Sequence, residues 1–447
     1  MTDLLPTHIY SKPAFEGVPA DDKALVAIHE NIRAYCNAHH HFAFDPDNPA
    51  VRLHEPTFGA EEIIAAVDVL LSTRVTMGPK VQAFEREFAQ AFRFSHGITN
   101  NSGSSANLLA VAAMCNPATK DRLKPGDEII VPALCWSTTV WPLIQHQLVP
   151  VIVDIDPLTL NIDPAQVERA ISPRTRGIMP VHVYGNPCDM TAIMELCRRR
   201  SLVLLEDCCE SLGASYDGTA VGKFGRAGTF SFYFSHHMTT IEGGICVTDD
   251  FELAEVMRAL RAHGWVREMQ KQGPYYAKYP DIDKRFLFVN QGYNLRLTEL
   301  QAAFGSVQLP KLAGFVETRR TNTAEWRKDL GRWPEFFELQ QETPKARSSC
   351  FSFPLVLKKD APFNVGEITA FLSQARIETR PIICGNIAEQ PAMKLYEHRR
   401  VGDLRHASRV MHQGFAFGNH QAVDAAARAY VTGKIAEFLK GRKLMSA

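Results

Sequence analysis

The chain runs to 447 residues, with 49 basic against 49 acidic side chains and 45% hydrophobic residues. This is a globular composition too long for one small core, so two packed domains are expected. A formal net charge of zero removes the electrostatic reason to expect nucleic acid or an anionic membrane surface as partner, and leaves small-molecule chemistry.

Residues 1–54 read as a polar, proline-bearing N-terminal extension with one helix in DDKALVAIHENIRAYCNA. Its start lacks the basic and apolar segments of a signal peptide. No apolar run in the chain approaches the roughly 20 residues that cross a bilayer. The run His39-His40-His41 has no further spaced ligands, so surface histidines are expected there and no metal site. From residue 55 the chain alternates. DEIIVPA, VPVIVDID, RGIMPVHVYG, SLVLLED, AGTFSFYF and GGICVTDD are predicted strands. SSANLLAVAAM, PAQVERAIS, DMTAIMELCRRR and FELAEVMRALRAHG between them carry helical periodicity. This alternation predicts an α/β sheet of mostly parallel strands with helices on both faces. LTELQAAFGSVQLPKLAGFVETRRTNTAEWRKDL reads as one long helical passage, after which the pattern becomes that of a smaller α+β unit. The expected division is a large domain over 55–316 and a small one over 317–447. Ten scattered cysteines without a C-x-x-C pair are those of reduced thiols, and a cytoplasmic enzyme is favoured.

Four places along this pattern carry chemistry. Ser102-Gly103-Ser104-Ser105 precedes an Ala/Leu-rich helix, where backbone N–H groups either receive an anion or serve ordinary capping. Asp207 ends the strand SLVLLED and either pairs with a protonated ring nitrogen or caps the next segment. Trp136 follows another strand end, as a stacking ring or as core. Ser231 offers a hydroxyl either to a phosphate or to neighbouring backbone.

In their order, TNNSGSSANLLA, VPALCWSTTVWP, LEDCCESLGA, SFYFSHHMTTIEGG and GYNLRLTELQAAFGSVQL resemble the DegT/DnrJ/EryC1/StrS family of sugar enzymes that use pyridoxal phosphate (PLP). The resemblance runs from about residue 55 to the C-terminus. It implies the fold type I, aspartate aminotransferase-like architecture. It also implies Asp207 as partner of the pyridine nitrogen, Trp136 as the stacking ring, and Gly103, Ser104 and Ser231 as the phosphate cradle. Glu210 matches a polar position near the cofactor's phenolic oxygen. Asn294, in GYNLR, matches an asparagine that reaches the phosphate of the neighbouring subunit, which implies a homodimer with shared active sites.

Counting back from Glu242-Gly243-Gly244, the family's lysine position holds His236, followed by His237, and no lysine lies in the loop. Imidazole cannot form lysine's covalent link to PLP, yet its ordinary pKa of about 6.5 suits proton transfer at neutral pH. A histidine pair in place of lysine resembles the family's 3-dehydratase branch, which acts on nucleotide-linked 4-keto-6-deoxysugars. The region RAHGWVREMQKQGPYYAKYPDIDKRFLF lacks the cysteines of that branch's iron–sulfur type, so no such cluster is expected. The resemblance then implies a GDP-linked 4-keto-6-deoxymannose as substrate and PLP and pyridoxamine phosphate as the cofactor forms. It further implies L-glutamate as amino donor and His236 as catalytic base. Ser235, His237, Trp265 and Arg296 are expected at the sugar pocket. The same dehydration on another nucleotide sugar, such as a CDP-linked one, and a non-catalytic PLP- or sugar-binding protein stand as alternatives.

Overall fold

The computed structural model describes residues 22–444. Its centre is an eight-stranded sheet in the order His96–Asn100, Gly244–Thr248, Ala227–Ser231, Val203–Asp207, Thr175–Ile178, Glu128–Pro132, Val149–Val153, Arg399–Arg400. Gly244–Thr248 runs antiparallel to both its neighbours, and from Ala227–Ser231 onward every pair is parallel. Glu128–Pro132 and Val149–Val153 are buried at every position, as strands with both faces covered must be. The helix Gly103–Cys115 is apolar on all sides and correspondingly sunk, with Ala106, Leu109, Ala110 and Ala113 fully buried.

A smaller antiparallel sheet orders Phe337–Leu339, Ser352–Leu357, Gly414–Gly418 and Thr379–Arg380. Its core is aromatic: the buried Trp326 packs on Phe353 and Phe417 with ring centroids 5.3 and 4.8 Å away. The helix Leu312–Leu330 passes through residue 317 without a break, and Arg399–Arg400 returns into the large sheet from the C-terminal part of the chain. The two layers are therefore interlocked by shared chain.

Two elements differ from their sequence patterns, and proline is the cause in both. The long helical passage stays helical but is divided into Glu299–Gln308 and Leu312–Leu330 by one 3-10 turn, Leu309–Lys311, that holds Pro310. RGIMPVHVYG contributes only its first three residues to the strand Thr175–Ile178, because Pro180 offers no N–H to a ladder. In the N-terminal extension, helix Lys23–His39 is capped by the Asp22 carboxylate, and His29 reaches Asp68 on helix Ala60–Leu71 at 2.7 Å. Residues 1–21 of that extension lie outside the described residues. Val51 pairs with Ile377, so the extension ends against the small sheet's side of the molecule. No helix among the described residues is long and apolar enough to cross a membrane.

One buried carboxylate joins two helices. Glu299 accepts the N–H groups of Gly78, Lys80 and Val81, at 2.8, 2.9 and 2.8 Å, and so supplies the N-terminus of helix Pro79–Phe92 with acceptors. Glu299→Ala strands three amides and is expected to lower stability by about 2–4 kcal/mol. The urea midpoint should fall accordingly, with Glu299→Gln between the two; an unchanged midpoint would contradict this role.

Candidate active site

Parallel strands deliver their functional groups at their carboxyl ends. Asn100 leads to Ser102, Gly103 and Ser104; Pro132 leads to Trp136; Val203–Asp207 ends on Asp207; Ala227–Ser231 ends on Ser231 and leads to His236. These ends enclose a cavity of about 330 Å³ lined by Gly103, Ser104, Trp136, Asp207, Glu210, Ser231, Ser235 and His236.

At one end the chain is packed closely around a helix start. The first intrahelical bond runs from Ala106 N to Ser102 O, so the amides of Gly103 and Ser104 precede it. A Cβ at Gly103 would lie 2.5 Å from the Ser231 Cβ and 3.0 Å from the Cys209 Sγ. Only glycine lets the helix start come so close to Ser231. Ser102 spends its own hydroxyl on capping, accepting from Ser105 N at 3.0 Å.

Asp207 is buried and both its oxygens accept hydrogen bonds. Asn107 Nδ2 and Thr139 Oγ1 donate to one at 2.9 and 2.7 Å, and Cys209 N donates to the other at 3.1 Å. Trp136 lies half-exposed on the cavity wall at the start of helix Ser137–Gln145. Glu210 takes one long hydrogen bond, from Tyr184 N at 3.3 Å. Burial pushes its carboxyl up to about 7, against the pull of Arg380.

The histidine pair divides its faces. The ring of His236 stands in the cavity, 5.0 Å from the ring of Phe351 and 5.9 Å from that of Tyr233, with Nδ1 enclosed and without a partner. Burial, and then the charges of Arg319 and Arg380, hold this imidazole down to about 3, so it stays neutral. His237 is turned away from the cavity and fully buried, its Nε2 donating to the Ser349 carbonyl at 3.1 Å.

Three of the sequence candidates lie elsewhere in this chain. Trp265 stacks on Phe288 with centroids 5.6 Å apart and carries the Arg267 guanidinium over its ring at 3.7 Å. Arg296 donates to the exposed Asn294 at 3.0 Å. None of the three lines the cavity. The structure adds Asn107, Thr138, Val181, Cys209, Tyr233, Glu242, Phe351, Arg380 and Ile383 to it. Asn107 is one helical turn beyond Gly103 and so was legible from its spacing.

A second polar cluster, His182, Glu206 and Cys208, is fully buried behind the site. Cys188 N donates to His182 Nδ1 at 3.0 Å, which leaves the proton on Nε2, 3.2 Å from Glu206. Glu206 also accepts Gly222, Phe224 and Gly225 N–H groups. With both imidazole nitrogens engaged, the cluster is a structural network that fixes the turn 222–225.

A doubly covered α/β sheet with a helix start, a buried carboxylate and an aromatic ring gathered at its strand ends is that of a fold type I, aspartate aminotransferase-like protein. The model of the DegT/DnrJ/EryC1/StrS aminotransferase family matches residues 56–436, and the chain belongs to that family. GDP-4-keto-6-deoxy-D-mannose 3-dehydratase of Yersinia pseudotuberculosis is 38% identical over 372 residues, 83% of this chain and 94% of its own. dTDP-4-dehydro-2,6-dideoxy-D-glucose 3-dehydratase of Saccharopolyspora spinosa is 34% identical over 438 residues, 95% of this chain and 94% of its own. Among solved structures, a GDP-4-keto-6-deoxymannose-3-dehydratase with a trapped PLP-glutamate geminal diamine superposes with a TM-score of 0.79 at 36% identity. The match covers 85% of this chain and 99% of that one.

The site's neutral imidazoles leave a mark on stability. Burial is the largest cause that lowers His236 and His54 to about 3 and His420 to about 4. An unfolded chain protonates them below about pH 6.5. Between those limits the unfolded state binds more protons, so stability is full above about pH 6.5 and falls with pH, by up to about 1.4 kcal/mol per unit per imidazole. The raised carboxyls of Glu210, Glu242 and Glu55 work in the opposite sense, while burial lowers His237, His96 and His146 as well and adds them to the imidazole side. The urea midpoint is expected to drop from pH 7 to pH 5; a flat profile would contradict neutral imidazoles in the fold.

Proposed function

We propose that this chain is a PLP-dependent nucleotide-sugar 3-dehydratase. It removes the carbon 3 hydroxyl of a GDP-linked 4-keto-6-deoxymannose, with L-glutamate as amino donor and His236 as catalytic base. One observation carries the reading: no lysine lines the cavity among the described residues, and the His236 imidazole stands there instead. The names and contents of the similar proteins support the nucleotide sugar, the cofactor and the donor.

The residues present fit PLP: a helix start with a glycine too close for any Cβ, a hydroxyl beside it, a flat aromatic wall and a hydrogen-bonded carboxylate. Bound there, PLP supplies an electron sink and carries the donor's amino group. Gly103 and Ser104 offer amides to the phosphate, and Ser231 a hydroxyl. Trp136 covers the flat ring, and Asp207 takes the pyridine N–H on oxygens that Asn107 and Thr139 already orient. Without a covalent tether, these contacts alone hold the group in place. His236 presents Nε2 to the cavity, since Nδ1 is enclosed. Neutral across the physiological range, it takes a proton from the carbon beside the ring and returns one. His237 anchors the pair through Ser349. Asn294 completes the site of the neighbouring subunit in a homodimer, which its exposure in one chain supports. Ten unpaired cysteines support a reducing compartment, the cytoplasm.

The test mixes purified protein with PLP, L-glutamate and GDP-4-keto-6-deoxymannose and follows ammonia and nucleotide-sugar mass. Ammonia with a keto sugar lacking one oxygen is the expected result; an amino sugar without ammonia would refute dehydration. A protein that converts no PLP with glutamate would be a binder. His236→Asn is expected to lose at least 100-fold in rate, with PLP still bound. His236→Lys should shift the product toward amino sugar, and unchanged dehydration in that variant would remove His236 as the deciding base.

A second reading has its own observation. The Saccharopolyspora spinosa relative matches 95% of this chain, so its alignment reaches into residues before 55, where the family model stops. This favours a different nucleotide on the same sugar chemistry. Running the assay with dTDP-, CDP- and GDP-linked substrates decides it by the mass of the product.

A further inference from the structure

The loop 232–243 that carries His236 closes on itself through backbone bonds, but its outer corner, Tyr233 and Phe234, is exposed. Among the described residues, one ring from outside the loop meets Phe234. It is that of His54, at the end of the N-terminal extension, edge-on with centroids 5.1 Å apart and planes at 85°. The contact is passed inward. Phe234 meets Tyr233 at 4.6 Å and 74°, and Tyr233 meets His236 at 5.9 Å and 87°. Each is the edge-to-face arrangement that aromatic rings favour. A file of four rings thus leads from the extension to the imidazole in the cavity.

Such a file holds the loop only if its outer end is fixed, and that end is pinned. Val51 N donates to Arg376 O at 3.0 Å, and Val51 O accepts Glu378 N at 2.9 Å. Leu53 N donates to the Glu378 carboxylate at 2.9 Å, and His420 Nε2 donates to Arg52 O at 3.1 Å. A Cβ on Gly418 would run into the carbonyl oxygens of Arg52 and Leu53, so the segment lies directly on the end of strand Gly414–Gly418. Three residues past His54, Thr57 exchanges two hydrogen bonds with Gln308, each of 3.0 Å, and Gln308 Oε1 also accepts Thr239 N at 3.3 Å. The stretch 54–57 therefore reaches the histidine loop on both sides of His236 and His237, at Phe234 directly and at Thr239 through Gln308. Burial holds His54 down to about 3, so it meets Phe234 as a neutral ring that supplies shape and no charge.

We propose that His54 is a positioning residue for His236: through Phe234 and Tyr233 it keeps the loop in the conformation that presents the catalytic imidazole to the cavity. The proposal deepens the role given to His236 and rests on it. A histidine ring stands only two torsions from its backbone, so a shift of the loop moves the base itself. The extension, which precedes the family's span from residue 56, is thereby part of the catalytic architecture.

The test uses His54→Ala, His54→Phe, Phe234→Ala and the double variant of the two alanines. Hydrogen exchange is measured first, on the protein without PLP. The amides of residues 232–243 should exchange about 5-fold faster in His54→Ala and in Phe234→Ala. Those of 376–378 should exchange as in the wild type, which verifies that the pinned end is folded. His54→Phe, which keeps a ring on Phe234, should restore the wild-type exchange. With PLP bound, a single turnover with L-glutamate should slow by about 5-fold in His54→Ala, while the glutamate concentration at half-maximal rate stays unchanged. The double variant should be no slower than the slower single one, since both remove one contact. His54→Gln, which keeps bulk and polarity without the ring, gives the same comparison where His54→Ala unfolds. Loop amides that exchange as in the wild type would overturn the proposal. So would losses that multiply in the double variant, or a His54→Phe variant as impaired as His54→Ala, which would assign the role to the imidazole nitrogens. If the wild type converts no PLP with L-glutamate, the functional reading fails on that result alone, while exchange in the protein without PLP still decides His54.

Discussion

A negative charge buried without a cation governs the large domain. Taking a carboxylate such as Asp207 out of water costs several kcal/mol unless donors replace the water. Here they come from three places: Asn107 on helix Gly103–Cys115, Thr139 on helix Ser137–Gln145, and the Cys209 amide. Thr229 donates to the Asn107 oxygen at 2.6 Å, which turns the amide so that its nitrogen faces Asp207. Each donor thus ties to the strand Val203–Asp207 an element that carries another part of the site. The bonds that offset the buried charge also set the spacing between the helix start at Gly103, the Trp136 wall and Asp207 itself.

The same burial sorts protons in the rest of the cavity. An imidazole loses its charge by losing a proton and a carboxyl by keeping one, so His236 and Glu210 are driven in opposite directions by one cause. Arg319 reinforces the first. It is buried, donates to the carbonyls of Phe351 and Asn419, and has no carboxylate among its described partners. Its charge lowers His236, His237, His54 and His420 together. An imidazole kept unprotonated and a carboxyl drawn toward its protonated form are the two states that acid–base chemistry needs side by side.

How much of this was legible follows from where each residue comes in the chain. Strand ends could be read because apolar runs stop there, so Asp207, Ser231 and the segment from Ser102 were in reach of the sequence. Thr139 was not, since its side-chain direction depends on how helix Ser137–Gln145 leaves its strand. Phe351 and Arg380 enter from the small sheet, more than 100 residues beyond His236, and no local pattern marks which face of that sheet meets the cavity. The misread elements have a common cause: periodicity continued through Pro180 and Pro310, where the backbone lost a donor. Trp265 packs on Phe288 and Arg296 pairs with Asn294, away from the cavity of their own chain, which the sequence order of motifs does not reveal.

Replacing an amine on a long flexible stem by imidazole changes what the loop must do. Lysine can reach its target from a range of backbone positions, whereas a histidine ring is carried only two torsions from the chain. The loop 232–243 is correspondingly closed on itself: Phe232 N bonds Gly243 O, Thr240 N bonds Phe232 O, and His236 N bonds Tyr233 O. A Cβ on Gly243 would run into the Thr240 hydroxyl, so the closure itself requires glycine. His237 adds a fixed point on the far side, bonded to Ser349, and the ring of Phe351 lies against both imidazoles at 5.0 and 5.5 Å. The two histidines thus act as one device, in which the buried ring holds the backbone where the cavity ring must stand.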